Sequence, residues 1–176
     1  MLHAKSIRKE TILHLKKICH EEPSPQTDNS KESIAARKNE SILRAFFQKV
    51  WNEKDFDSIV NYVAPYYTIH IDSSDPWEGK TLNYLEFAMR LDYTFDSFPD
   101  MYFEIQTLIA DGNYVAITWI MTGTNTGEIA GFSPTNKTIK ANGFTIYHFN
   151  GSQICGHTQV CNKSTIMKQL GFHHNL

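Results

Sequence analysis

Apolar residues recur at helical spacing through the first half of this chain and alternate at strand spacing through the second. Ile7, Ile12, Leu15, Ile18 and Cys19 share one helical arc while Lys5, Lys9, Lys16 and Lys17 fall largely elsewhere, which predicts an amphipathic helix over residues 5–20. Residues 21–30 are polar and include Pro23 and Pro25, so they cannot continue that helix and form a linker. Residues 1–30 are therefore an extension ahead of a domain over 31–176. Within that domain Ser30 or Asn29 caps a long helix through about residue 52, along which Ile34, Ile42, Leu43, Phe46, Val50 and Trp51 recur. Asp55 starts a second helix with Phe56, Ile59, Val60 and Val63, which Pro65 ends. Tyr66 to Asp72 alternates as a short strand, and Leu82, Leu85, Phe87, Met89 and Leu91 predict a third helix ending before Phe98-Pro99-Asp100.

From Met101 onward β-branched and aromatic residues dominate, and Asp111-Gly112-Asn113 and Asn150-Gly151 supply hairpin turns. Helices first and strands later predict an α+β domain with an antiparallel sheet.

At 176 residues the chain suits one domain with a core of its own. Its net charge of -2 argues against a nucleic-acid binder, which needs clustered Lys and Arg. The cysteines, Cys19, Cys155 and Cys161, are an odd set, and the last two lie on one expected strand, too far apart to bridge. Reduced thiols in a cytosol match that set. Lys5, Arg8, Lys9 and Glu10 interrupt what a secretory signal would need as an apolar run, and no segment approaches a membrane span, so a cytoplasmic protein is expected. The basic N-terminal helix either lies on a membrane surface or packs on its own domain or a dimer mate; packing is the commoner outcome.

Gly123-Thr124-Asn125-Thr126-Gly127-Glu128, then Gly131, Pro134-Thr135-Asn136-Lys137, the Asn150-Gly151 turn and a closing Gln169-Leu170-Gly171 form an ordered set of motifs. Together with Phe98-Pro99-Asp100 they resemble the SnoaL-like polyketide cyclases over roughly residues 38–172. The resemblance implies the cone-shaped fold of the nuclear transport factor 2 superfamily, in which a curved sheet wraps around helices. It also implies an intramolecular aldol closure in a greasy pocket, with an Asp taking a proton next to a carbonyl and no metal or coenzyme involved. Asn125 stands where that family usually has His, and Asn162 stands where its catalytic Asp falls. An amide cannot serve as a base, though it can hydrogen-bond a ligand carbonyl or cap the helix that follows.

On the last strand, alternation groups Ile154, Gly156, Thr158, Val160 and Asn162 on one face and Cys155, His157, Gln159 and Cys161 on the other. The resemblance marks the Asn162 face as the pocket side. With Asn150-Gly151 as a two-residue turn, Tyr147 opposes Ile154 and His148 opposes Gln153, which sends His148 and His157 away from the pocket; a one-residue slip reverses this.

His70 and Asp72, two apart on a strand, then share a face and form the candidate acid/base pair, because a carboxylate beside an imidazole raises its basicity and fixes its tautomer. Their structural alternative is a loop-closing Asp72 with His70 bonded to backbone. Asn162, Thr158, Tyr147, Trp77, Tyr62 and Trp51 are the candidate ligand-binding residues. Neither His70, Asp72, His148 and His157 nor the tail pair His173-His174 has the spacing of a metal site. The functions open at this point are a cofactor-independent cyclase or isomerase acting on a small hydrophobic molecule, a non-catalytic binder of such a molecule, and a homodimeric interaction module.

Overall fold

Helix α1 (Asn29–Phe46) opens the part of the chain that the computed structural model describes, residues 29–172 apart from Ser74. The expected helix over 5–20, its linker, Cys19 and His173-His174 lie outside the described residues. Leu43 and Phe46 face the core from α1, and the helix widens into a π-helical segment, Phe47–Asn52, that buries Phe47, Val50 and Trp51. The long helix through residue 52 is thus present with its last turns loosened. Asn52 then takes the place of a strand neighbour: its side chain donates to the Phe103 carbonyl at 3.0 Å and accepts from the Phe103 amide at 2.8 Å.

Asp55 caps a single 3₁₀ turn, Phe56–Ser58, which runs into the short helix α2 (Ile59–Tyr62). Strand β1 (Val63–Asp72) begins earlier than expected, so Pro65 lies inside a strand rather than at the end of a helix. It is tolerated because β1 skips register between Val63 and Thr68, where no ladder bond is asked of a residue without N–H. After the short β2 (Thr81–Leu82), Asn83 and Glu86 form a reciprocal capping box at the start of α3 (Tyr84–Ser97). Phe87, Leu91 and Phe95 give α3 its buried stripe.

Strands β3 (Tyr102–Asp111), β4 (Tyr114–Thr124), β5 (Thr138–Asn150) and β6 (Gln153–Cys161) follow, and α4 (Lys163–Leu170) closes the domain between Asn162 and a left-handed Gly171. The sheet order is β2-β1-β6-β5-β4-β3. All neighbours are antiparallel except β1 and β6, so the sheet is mixed where an antiparallel one was expected. The side of β1 away from β2 is filled by β6 only after α3 and strands β3 to β5, a connection long enough to allow a parallel pair.

Irregularities in two strands decide which side chains point inward. His70 is an extra residue in β1 between the Ile69–His157 and Ile71–Thr158 pairs, and Cys155 is an extra residue in β6 between the Phe149–Ile154 and His148–Gly156 pairs. One face of the sheet packs on α1 and α3. Phe46 and Phe47 meet Tyr147 edge-on at 6.3 and 5.9 Å, and Phe87 meets Tyr67 at 4.7 Å. The other face carries exposed Ile71, Phe144 and Val160.

Candidate functional site

The helices do not fill the space above the inner face of the sheet. A cavity of about 650 Å³ remains, walled by Phe46, Trp51, Trp77, Phe103, Trp119 and Tyr147 among others. Its polar end is built by Asp72 from β1, Arg90 from α3, His157 and Gln159 from β6, and Lys163 from α4. Such a volume with apolar walls and a few convergent polar groups is the usual form of a small-molecule site.

Asp72 is the centre of that polar end, and its two oxygens differ. Oδ2 accepts from Arg90 Nη2 at 3.2 Å and Gln159 Nε2 at 3.1 Å, and faces His157 Nε2 at 3.5 Å. Oδ1 has an ionic contact with Lys163 Nζ at 3.4 Å and no hydrogen bond among the described residues. Burial pushes the carboxyl toward its neutral form, but the His157 hydrogen bond and the charges of Lys163 and Arg90 together outweigh it and hold the pKa below the ordinary value. Asp72 is therefore an anion in a largely apolar chamber.

Arg90 is held in turn by Asp75, whose Oδ2 accepts from Nε at 3.0 Å and Nη2 at 2.7 Å. Burial disfavours its charge, but the Asp75 and Asp72 carboxylates restore it. Asp75 Oδ1 also accepts from the Trp77 amide, so the ion pair fixes the turn that carries Trp77 over the cavity, where it meets Tyr93 edge-on.

His157 is buried, and its ring is set by both neighbours. Tyr67 Oη lies 2.7 Å from Nδ1. Burial raises the Tyr67 pKa well above its ordinary value, so this hydroxyl keeps its proton and donates it. Burial, aided by Arg90, lowers the His157 pKa against the pull of Asp72, so the neutral ring carries its proton on Nε2, toward the carboxylate. The opposite tautomer would set a lone pair against Asp72. Gln159 is oriented by a second chain of bonds, from Trp119 Nε1 to Thr145 Oγ1 at 2.8 Å and from Thr145 Oγ1 to Gln159 Oε1 at 2.8 Å. That leaves the Gln159 amide nitrogen for Asp72.

The expected pair of His70 with Asp72 is not formed. The extra residue in β1 turns both His70 and Ile71 outward and returns Asp72 inward, so alternation fails between them. His70 instead stacks on His148 at 4.5 Å on the outer face, where His148 was expected. His157 is corrected in the other direction: the bulge at Cys155 lets Ile154 and His157 both point inward, and His157, Gln159 and Cys161 line the cavity in place of Gly156, Thr158 and Val160. The turn is Gly151-Ser152, so Tyr147 opposes His157. Thr158 points outward beside Ile71, and Tyr62 packs on the core without lining the cavity, while Tyr147, Trp77 and Trp51 do line it.

Asn162 is absent from the cavity wall and caps α4, accepting from the Thr165 amide at 3.1 Å. Asn125 is likewise structural: fully buried, it donates to the Ser97 and Gly127 carbonyls and accepts from Thr135. Among the described residues no three His, Cys, Asp or Glu are grouped to hold a metal, and no helix is long and apolar enough to cross a membrane.

Sequence reasoning missed Arg90, Lys163, Gln159 and Tyr67. Arg90 had a signal, since it falls between Phe87 and Leu91 on the buried stripe of α3, where an unpaired cation has no place.

The chain matches the family described as SnoaL-like polyketide cyclase over residues 41–170. A candidate polyketide cyclase from Acidithiobacillus ferrooxidans is 39% identical, with 76% of this chain and 94% of that chain covered and a TM-score of 0.72. A candidate SnoaL-like polyketide cyclase from a Jannaschia species shares the fold at 13% identity, covering 86% of this chain and 100% of its own, with a TM-score of 0.70. IdmH from Streptomyces antibioticus, a candidate polyketide cyclase, does so at 20% identity, 76% and 98% coverage and a TM-score of 0.65. No curated protein matches the chain significantly.

Proposed function

The chain belongs to the SnoaL-like polyketide cyclase family, and on that premise we propose that it binds a small, ring-containing hydrophobic molecule and moves a proton on it without a cofactor. The observation that carries this reading is the buried Asp72 carboxylate, whose Oδ1 accepts no hydrogen bond among the described residues, at the polar end of a cavity walled by aromatic rings. Oδ1 takes a proton from a carbon next to a ligand carbonyl, the electron pair moves onto the carbonyl oxygen, and the resulting enolate can close a ring or be reprotonated elsewhere. Asp72 replaces Asn162 as the base in this account. His157, Gln159 and Arg90 hold the carboxylate in place from the Oδ2 side.

A low pKa makes Asp72 a weak base in the resting protein. That favours a second reading, a binder that keeps the cavity and has no turnover. Deuterium exchange from solvent into a panel of aromatic β-keto esters, followed by proton NMR, separates the two. Faster exchange with the protein than without it supports catalysis; binding of the neutral fluorophore N-phenyl-1-naphthylamine with no faster exchange supports the binder.

The assembly is proposed to be a homodimer through the outer sheet face, where Phe144 and Val160 are paired across strands yet 42% and 66% exposed. Light scattering of the Val160→Glu protein, monomeric where the unaltered protein is dimeric, is the expected outcome. Cys155 and Cys161, which form no disulfide among the described residues, are compatible with a cytosolic location.

A further inference from the structure

Lys163 is in an unusual place for a lysine. It is the first residue of α4, whose opening turn carries no acidic residue, and a cation there opposes the positive end of the helix dipole. Asn162 already caps the helix, so Lys163 contributes nothing to its start. What the position does supply is reach. Nζ lies 3.4 Å from Asp72 Oδ1, the side chain is 37% exposed where Arg90 is 7% exposed, and Ile166 and Met167 of the same helix line the cavity beside it.

The two cations of the site are thus differently bound. Arg90 is locked by three hydrogen bonds to two carboxylates. Among the described residues Lys163 has one ion pair, to the Asp72 oxygen that accepts no hydrogen bond from them. We propose that Lys163 is a catalytic counter-ion that follows negative charge from Asp72 Oδ1 to the ligand's carbonyl oxygen. The proposal rests on Asp72 being the base.

The charge balance is closed. Before the step, Asp72 is anionic and paired with Lys163, and the ligand is neutral. As the C–H bond breaks, Oδ1 gains the proton and becomes neutral, and the C–H electron pair is carried onto the ligand oxygen as an enolate. Lys163 then turns its ammonium from the neutral acid to the new oxyanion, so the net charge of the chamber is unchanged while Arg90 stays paired with Asp75. With Lys163 turned away, one of the charges that depress Asp72 is gone, so the carboxyl holds the proton it has taken instead of returning it at once to the enolate. The ligand class that uses this device is a carbonyl compound whose enolate oxygen reaches the mouth of the cavity near α4.

A bound phenol mimics the enolate, because its proton can pass to Asp72 and leave an oxyanion of the same charge. The test titrates 4-nitrophenol with the full-length protein and reads the phenolate fraction of the bound probe by absorbance, in the unaltered protein, Lys163→Gln and Lys163→Arg. N-phenyl-1-naphthylamine, which carries no acidic group, reports the cavity independently. The expected result is a bound phenolate-to-phenol ratio lower by about three- to tenfold in Lys163→Gln, partly restored in Lys163→Arg, with the uncharged fluorophore still bound by both. An unchanged ratio in Lys163→Gln while the fluorophore binds normally overturns the role of Lys163 and leaves the cavity reading standing. Failure of the unaltered protein to bind either probe overturns both.

Discussion

Asp72 and His157, 85 positions apart in the chain, meet at 3.5 Å across the parallel pair of β1 and β6. The contact depends on an extra residue in each strand, because without His70 in β1 and Cys155 in β6 the two side chains would not share a face with the core residues Ile69 and Ile154. Local irregularity in the sheet thereby sets the chemistry of the cavity.

Tyr67 fixes the His157 tautomer by donating to Nδ1 at 2.7 Å. Tyr67→Phe leaves that buried nitrogen unpaired and should cost about 1–3 kcal/mol of stability. Nitrogen NMR of His157 should show the Nε2-protonated tautomer as dominant in the unaltered protein and depleted in the variant.

Acid should destabilise the fold in two stages. The folded pKa of His157 is depressed, so the unfolded chain binds the extra proton as pH falls below the ordinary value of 6.5, and stability declines from there. Asp72 is depressed too, so its contribution is full above the ordinary 3.8 and is lost as pH falls through its lower folded value. Urea unfolding across a pH series should show a smaller first stage in His157→Gln and a smaller second stage in Asp72→Asn, the remainder coming from His148 and from Asp100 and Glu53, whose pKa values are also lowered.

Arg90 neutralises Asp72 and Asp75 together. Arg90→Met leaves the half-buried Asp75 without its cation and Asp72 with Lys163 as its remaining lysine or arginine partner, and should cost about 3–5 kcal/mol, measurable by urea unfolding at neutral pH. Adding Asp75→Asn to that variant should recover part of the loss, since one stranded charge is removed.

Gly143 makes room for the Trp119 indole, which a Cβ at that position would approach to 2.2 Å. Gly143→Ala should cost about 1–3 kcal/mol through overpacking. It should also break the Trp119–Thr145–Gln159 chain, with a shift in tryptophan emission as the indole loses its bond to Thr145.

Asn162 separates a cap from a ligand contact. Asn162→Ala should lower stability by about 0.5–2 kcal/mol, as loss of a helix cap does, and leave N-phenyl-1-naphthylamine affinity unchanged.

The two long helices and the first hairpin of the domain were legible because their signals are local. The stripe from Leu43 to Trp51, the Asp55 cap, the α3 stripe and the Gly112 turn each depend on neighbouring residues alone. The motifs around Asn125 and Gln169-Leu170-Gly171 gave the family for the same reason. The polar site was less legible because it depends on register. Strict alternation paired His70 with Asp72 and sent His157 outward, and one bulge in each strand overturned both assignments. Asp72 and Tyr147 do line the cavity; Arg90, Gln159 and Lys163 come from three other elements, and no spacing in the sequence links them to Asp72.

The central claim is that Asp72 takes a proton from a ligand held in the aromatic cavity. It is tested most directly by comparing solvent-deuterium exchange into an aromatic β-keto ester between the unaltered protein and Asp72→Asn, with N-phenyl-1-naphthylamine binding as the check that the cavity is intact. The account predicts exchange slower by about 100- to 10,000-fold in the variant at equal fluorophore affinity. Equal exchange rates in the two proteins would contradict it.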